Sequence, residues 1–166
     1  MSYTLEEFKT KIIREHAMKK YIAILKAAAK KTYHPTPNWG NMDFHNMIEH
    51  LGFAFELVLQ KNKCATPAEQ IPRQQAFLRT DKPMPHNFRY PYLPPEPLPY
   101  KFAGIDEAID QLEKAIEKYQ IFWRENPEAI AVHPVFGEMG HALWDRVHTK
   151  HMKHHFAQFS IAIESN

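Results

Sequence analysis

GIDEAIDQLEKAIEKYQIFWRENP, residues 104–127, is the stretch that decides the fold. Ile105, Ile109, Leu112, Ile116, Tyr119 and Trp123 recur at steps of three, four and seven, which places them on one stripe of a 3.6-residue helix. Gly104 opens this helix, and Asn126 with Pro127 closes it. Three more helical segments are read outward from it. Thr4 and Glu7 form a capping box, and Leu5, Phe8, Ile12, Tyr21, Ile24, Leu25 and Ala28 carry a first helix from Leu5 to Lys31, ended by the Pro35/Pro37 segment. Asp43 is the expected N-cap of a second helix, Phe44 to about Asn62, with Met47, His50, Leu51, Phe53, Ala54, Leu57 and Val58 facing inward. A last helix begins between Phe136 and Gly140, carries Leu143, Trp144, Val147, Phe156, Phe159 and Ile161, and ends near Ile163. His133-Pro134-Val135-Phe136-Gly137 reads as the turn before it.

Nine of the thirteen prolines fall between Thr66 and Tyr100, a density that suits neither helix nor central strand. That segment is expected to be a stiff strap, partly polyproline II, crossing from the second helix to the third. Four helices without strand-like alternation predict an all-α four-helix bundle, a single domain over residues 1–166. Short links join antiparallel neighbours and a long crossover lets consecutive helices run parallel, so the expected order is up-down-down-up.

The composition narrows the function classes. A net charge of +2 weighs against a dedicated nucleic-acid binder, and 44% hydrophobic with 24% charged residues is ordinary for a globular chain. Cys64, the single cysteine, cannot form an internal disulfide, and no apolar run is long enough to span a bilayer. The first eleven residues lack a continuous apolar stretch, so no secretory leader is expected and the cytoplasm is the default address.

Eleven histidines are the unusual feature, and six of them lie between His133 and His155. On a helical projection His151 and His155 point inward with Trp144 and Phe159, whereas His154 sits about 100 degrees away at the edge of that face. Residues at i and i+4 stand about 6 Å apart, so His151 and His155 can share one ion. His50 lies in the middle of the second helix's apolar stripe, where an uncompensated imidazole would be costly. A lone inward histidine is ordinarily satisfied by a core hydrogen bond, and a His/Lys-rich stretch is often a solvated helix end. Taken together, the three histidines point to a metal held by His50, His151 and His155. His45 and Glu49 read as a surface pair one turn apart, Cys64 as inert, and Trp123, Trp144, Phe53 and Phe159 as core packing.

The C-terminal segment, from His133-Pro134-Val135-Phe136-Gly137 through Trp144 to Lys150-His151-Met152-Lys153-His154-His155-Phe156-Ala157-Gln158-Phe159, resembles the signature of the DinB/YfiT-like superfamily. More closely it is similar to an uncharacterised branch ending in Lys-His-x-x-His-His-x-x-Gln-Phe. Met47-Ile48-Glu49-His50-Leu51 resembles the second-helix motif of that group. The resemblance implies a four-helix bundle with a metal site of three histidines, one from the second helix and two from the fourth, at positions matching His50, His151 and His155. It also implies zinc or nickel as the ion, and relatives that are bacterial thiol-dependent transferases and isomerases using bacillithiol or mycothiol.

Three protein ligands leave a coordination position open, as in catalytic zinc sites. The two ligands on the last helix are not arranged as His-Glu-x-x-His, so the general base of that hydrolase type is missing. Thiol transfer to a small electrophile therefore needs the least further machinery. Metal-assisted hydrolysis would call on His148, His154 or Glu49 as base. A binding module roofed by Tyr90, Tyr92 and Tyr100, without chemistry, is the third reading, and an interaction partner with structural histidines the fourth. The expected partners are a small-molecule substrate and a low-molecular-weight thiol, with no nucleic acid and no membrane; a homodimer is allowed.

Overall fold

A computed structural model of the chain describes residues 5–86, 88 and 90–163, and for 5–16 the backbone alone. Among these residues there are five α-helices and one two-stranded antiparallel sheet: α1 (Leu5–Ala29), α2 (Phe44–Glu56), α3 (Ile71–Leu78), α4 (Ile105–Glu125), β1 (Ala131–His133), β2 (Gly137–Met139) and α5 (His141–Gln158). The expected Thr4/Glu7 capping box lies outside what is described. None of the described helices is long and apolar enough to cross a membrane.

The amphipathic stripe of α4 is buried as its spacing requires: Ile109, Leu112, Ile116, Tyr119 and Trp123 are all in the core. Its partner is chiefly α2, which also packs on α5, while α1 lies against α4 and α3 against α5. Leu25, Met47, Leu51, Phe55, Trp144 and Phe156 meet in a single hydrophobic cluster with that stripe. Trp123, Trp144 and Phe159 are core residues as expected, but Phe53 is only half-buried.

Asp43 is the N-cap of α2, its Oδ1 accepting from the Asn46 backbone N–H at 2.8 Å. The helix stops at Glu56 and runs on as a 3-10 turn, Leu57–Leu59, short of the expected Asn62. The amide of Asn62 instead donates to the Leu57 carbonyl at 2.6 Å and to the Val132 carbonyl of β1 at 3.2 Å, tying the end of the 3-10 turn to the hairpin. Cys64 is half-buried beside it, its Sγ 3.6 Å from the Thr66 carbonyl. The last helix likewise ends early, at Gln158, because the chain turns through Ser160 at φ 51°.

Two expectations about the connections are corrected. The proline-rich segment contains a helix, α3, because Pro72 sits in its first turn, where the missing N–H is not needed and the fixed φ already suits a helix. The densest prolines, from Pro83 onward, are free of helix and strand as expected. The turn before α5 is the tip of a short hairpin, with His133 opposite Gly137. The three intervening residues close through the His133 ring, whose Nδ1 accepts from the Val135 and Phe136 N–H groups at 3.0 and 3.3 Å. Strands of three residues are too short to register as alternation.

Gly137 adopts φ +71°, and a Cβ there would lie 2.9 Å from Ile71 Cδ1, so this position excludes a side chain on both backbone and packing grounds. Gly137→Ala should cost about 1–3 kcal/mol in urea unfolding. Gly104→Ala, in extended backbone with open space around it, should cost under about 1 kcal/mol. Equal losses would show that the hairpin is not held against α3.

Candidate metal centre

His50 from α2 and His151 and His155 from α5 meet where the two helices pack together. His151 Nε2 is 2.9 Å from His50 Nε2 and 2.9 Å from His155 Nε2, and one ligand atom from each residue falls within 4.8 Å of the others. The rings meet nearly edge to face, at 68–79°.

The tautomer of His155 follows from its neighbours. The Trp39 carbonyl can only accept, so the Gln158 amide presents Nε2 to it, at 2.8 Å. That turns Gln158 Oε1 toward His155 Nδ1, at 2.7 Å, and Nδ1 must carry the proton. His155 Nε2 is therefore a bare lone pair facing His151. One N–H on His151 Nε2 can satisfy only one of its two 2.9 Å contacts. A cation bound by three lone pairs removes that conflict, and a histidine whose other nitrogen is hydrogen-bonded is the usual form of a metal ligand. This donor set fits a divalent transition ion.

Burial keeps all three rings neutral, as ligands must be. His50 is lowered to about 4 by desolvation, with a smaller contribution from His154. His151 and His155 lie well below the usual histidine value, first through desolvation; His155 and His50 lower His151 further, and His50 lowers His155 against an opposing hydrogen bond to Gln158.

Gly40 shapes the approach of the loop that carries Trp39. Its φ is +77°, and a Cβ there would come within 3.1 Å of Gln158 Nε2. Asn38 adds a second tie, its backbone N–H donating to the Gln158 carbonyl at 2.7 Å. The link between Gln158 and His155 is visible in the sequence only as an i, i+3 spacing.

The trio opens on a cavity of about 1000 Å³. The strap covers it with Tyr90, Pro91 and residues 93–99, and is pinned to α2 by hydrogen bonds. Glu49 accepts from the backbone N–H groups of Lys101 and Phe102 at 2.9–3.0 Å, and Asn46 donates to the Leu98 carbonyl at 3.1 Å. Tyr100 hydrogen-bonds Asp43 and stacks on His45, while Tyr92 donates to the Lys63 carbonyl at 3.2 Å. Of the three tyrosines expected to roof the cavity, Tyr90 lines it; the other two pin the strap.

Residues 9–161 match the family described as "Protein of unknown function (DUF1569)". The chain belongs to that family. No curated protein and no solved structure matches it.

The three candidate bases of this DUF1569 chain are dispersed. Glu49 is committed to the strap, and His45 Nε2 stands 3.1 Å from its carboxylate; His45 is buried and the Glu49 side chain is largely covered, so the expected surface pair is not on the surface. Burial beneath Tyr100, a contact distant in sequence, accounts for the difference. His154 lines the cavity beside the trio, its ring 5.0 Å from His155 and edge-on to Trp39, which stacks on His86 at 3.7 Å. Desolvation lowers its pKa, opposed by a hydrogen bond to the Met84 backbone. His148 is fully buried against Phe55. Sequence reasoning did not single out Trp39 or His86 near the site, and loop residues carry no periodic signal.

Desolvation lowers His133 and His148 from 6.5 to about 3. Between those values the unfolded chain binds more protons than the folded one, so the stability present above pH 6.5 is lost as the pH falls, by about 1.4 kcal/mol per pH unit for each residue. Urea melts of chelator-treated protein from pH 7 to pH 4.5 should show this loss, with a shallower slope in His148→Phe. A flat profile would mean that these rings are not buried neutral. Gln158→Leu, which frees His155 Nδ1, should weaken zinc binding by about 10- to 100-fold in calorimetric titration.

Proposed function

We propose that His50, His151 and His155 hold one zinc or nickel ion, and that the chain is a metal-dependent enzyme of the DinB/YfiT-like type. In this reading α1, α2, α4 and α5 are its up-down-down-up bundle. The observation that carries the proposal is the convergence of three neutral imidazoles, one of them fixed with its lone pair inward, at the wall of a large covered cavity. Structural histidines would be expected to have separate hydrogen-bond partners. Here three nitrogens crowd one point.

Bound there, such an ion would supply Lewis acidity, drawing the pKa of a coordinated thiol or water toward neutrality. The protein's own contribution is placement. Gln158 holds the His155 ring, α2 and α5 hold the other two, and the strap restricts water and admits an electrophile of limited size. Thiol transfer or isomerisation on a small electrophilic substrate fits these parts, since a thiol that ionises readily needs no neighbouring carboxylate and Glu49 is occupied elsewhere. His154 favours metal-assisted hydrolysis as a second reading, because it stands beside the ligands and a base is what hydrolysis requires.

Zinc or cobalt should bind at about one ion per chain, and His151→Ala and His155→Ala should each abolish tight binding while His154→Ala retains it. Equal loss from all three would place the ligands on another helical face. A low-molecular-weight thiol should add thiolate-to-metal charge transfer to the cobalt spectrum and react with 1-chloro-2,4-dinitrobenzene in the zinc-loaded enzyme. A spectrum indifferent to thiols, with ester hydrolysis lost in His154→Ala, would establish the second reading instead.

A further inference from the structure

His148 is a further buried imidazole on the wall of the same cavity, three residues before His151 on α5. It is 2% exposed, and neither ring nitrogen has a hydrogen-bond partner among the described residues. Its face lies flat on Phe55, centroids 3.9 Å apart and planes within 15°, and Tyr119 meets it edge-on at 4.7 Å. These contacts fix the plane of the ring but satisfy neither nitrogen. Leaving such a group unpaired costs about 1–3 kcal/mol, and a leucine or phenylalanine would fill the space without that cost.

His133 lines the cavity too. Its Nδ1 is taken by the Val135 and Phe136 N–H groups, so its one proton is on Nε2 and the ring offers a donor of fixed tautomer. Leu112, Ala115, Phe136 and Val147 supply apolar wall to the same cavity. Its lysines, Lys101 and Lys118, are exposed. Two neutral imidazoles with apolar neighbours would leave an anionic group without a counter-charge, whereas an uncharged oxygen needs only an N–H donor and an acceptor.

We propose that His133 and His148 form a recognition site, separate from the three-histidine cluster, for an uncharged oxygen function, carbonyl or hydroxyl, carried on an apolar or aromatic ligand body. The site depends on the cavity and not on the ion. It therefore stands or falls independently of the metal reading.

The probes are benzyl alcohol and acetophenone, with toluene and benzoate as the matched apolar and anionic controls. Long-range proton–nitrogen correlation spectra of the imidazole rings are followed during titration of ¹⁵N-labelled, chelator-treated protein at pH 7. Benzyl alcohol and acetophenone should shift the His133 and His148 ring nitrogens saturably, and bind at least about tenfold more tightly than toluene or benzoate. His148→Phe keeps the stacked ring and removes both nitrogens, so it should erase the preference for benzyl alcohol over toluene while leaving toluene binding unchanged. Loading the wild type with zinc should leave that preference unchanged, which separates this site from the metal centre. The proposal is overturned if no probe shifts these nitrogens, as when a single water fills the site. Equal binding of all four probes, or an unchanged preference in His148→Phe, would overturn it as well. The wild-type comparison of benzyl alcohol with toluene decides the matter should the variant not fold.

Discussion

The Trp39 carbonyl can only accept a hydrogen bond, and from this the order of the site follows. It orients the Gln158 amide, whose Oε1 accepts from His155 Nδ1–H and leaves Nε2 bare and pointed at His151. A loop between α1 and α2 thereby sets the chemistry of a residue on α5, more than a hundred positions away in sequence. Gly40 permits the approach, since any side chain at its positive φ would press on the same amide. The three imidazoles then stand in a geometry that one proton cannot satisfy and one cation can.

The cavity beside them is built from what the helices leave uncovered. α2 turns one part of its surface to α4 and another to α5, and the strap crosses the remaining opening, tied by the Glu49 carboxylate to two backbone N–H groups of its own. A carboxylate on a helix near a histidine cluster invites a catalytic reading, yet its hydrogen bonds show it anchoring the strap. The unpaired nitrogens of His148 stand at the opposite extreme, since no group among the described residues uses them. The two residues illustrate a general contrast between polar groups that build a cavity wall and those left open to what enters it.

Much of the fold was legible because long amphipathic helices repeat their pattern many times. The stripe of α4 and the Asp43 cap of α2 needed no tertiary knowledge, and neither did the inward turn of His151 and His155, which follows from 100 degrees per residue. What was not legible depends on contacts distant in sequence or on elements too short to show a period. The hairpin has three residues a strand, and α3 was hidden by reading Pro72 together with the later prolines instead of as a helix start. The burial of His45 depends on Tyr100, the covering of Glu49 on Lys101 and Phe102, and the role of Gln158 on a loop that no spacing rule links to it.

The claim that His50, His151 and His155 form a metal centre is tested most directly by X-ray absorption at the zinc edge of the loaded protein. The account predicts an inner shell dominated by nitrogen at about 2.0–2.1 Å, with the outer scattering pattern of three imidazole rings and one further light-atom ligand. In protein prepared without added thiol, a shell containing sulfur at about 2.3 Å, which among its side chains only Cys64 or a methionine could supply, or a purely oxygen shell without imidazole scattering, would contradict it.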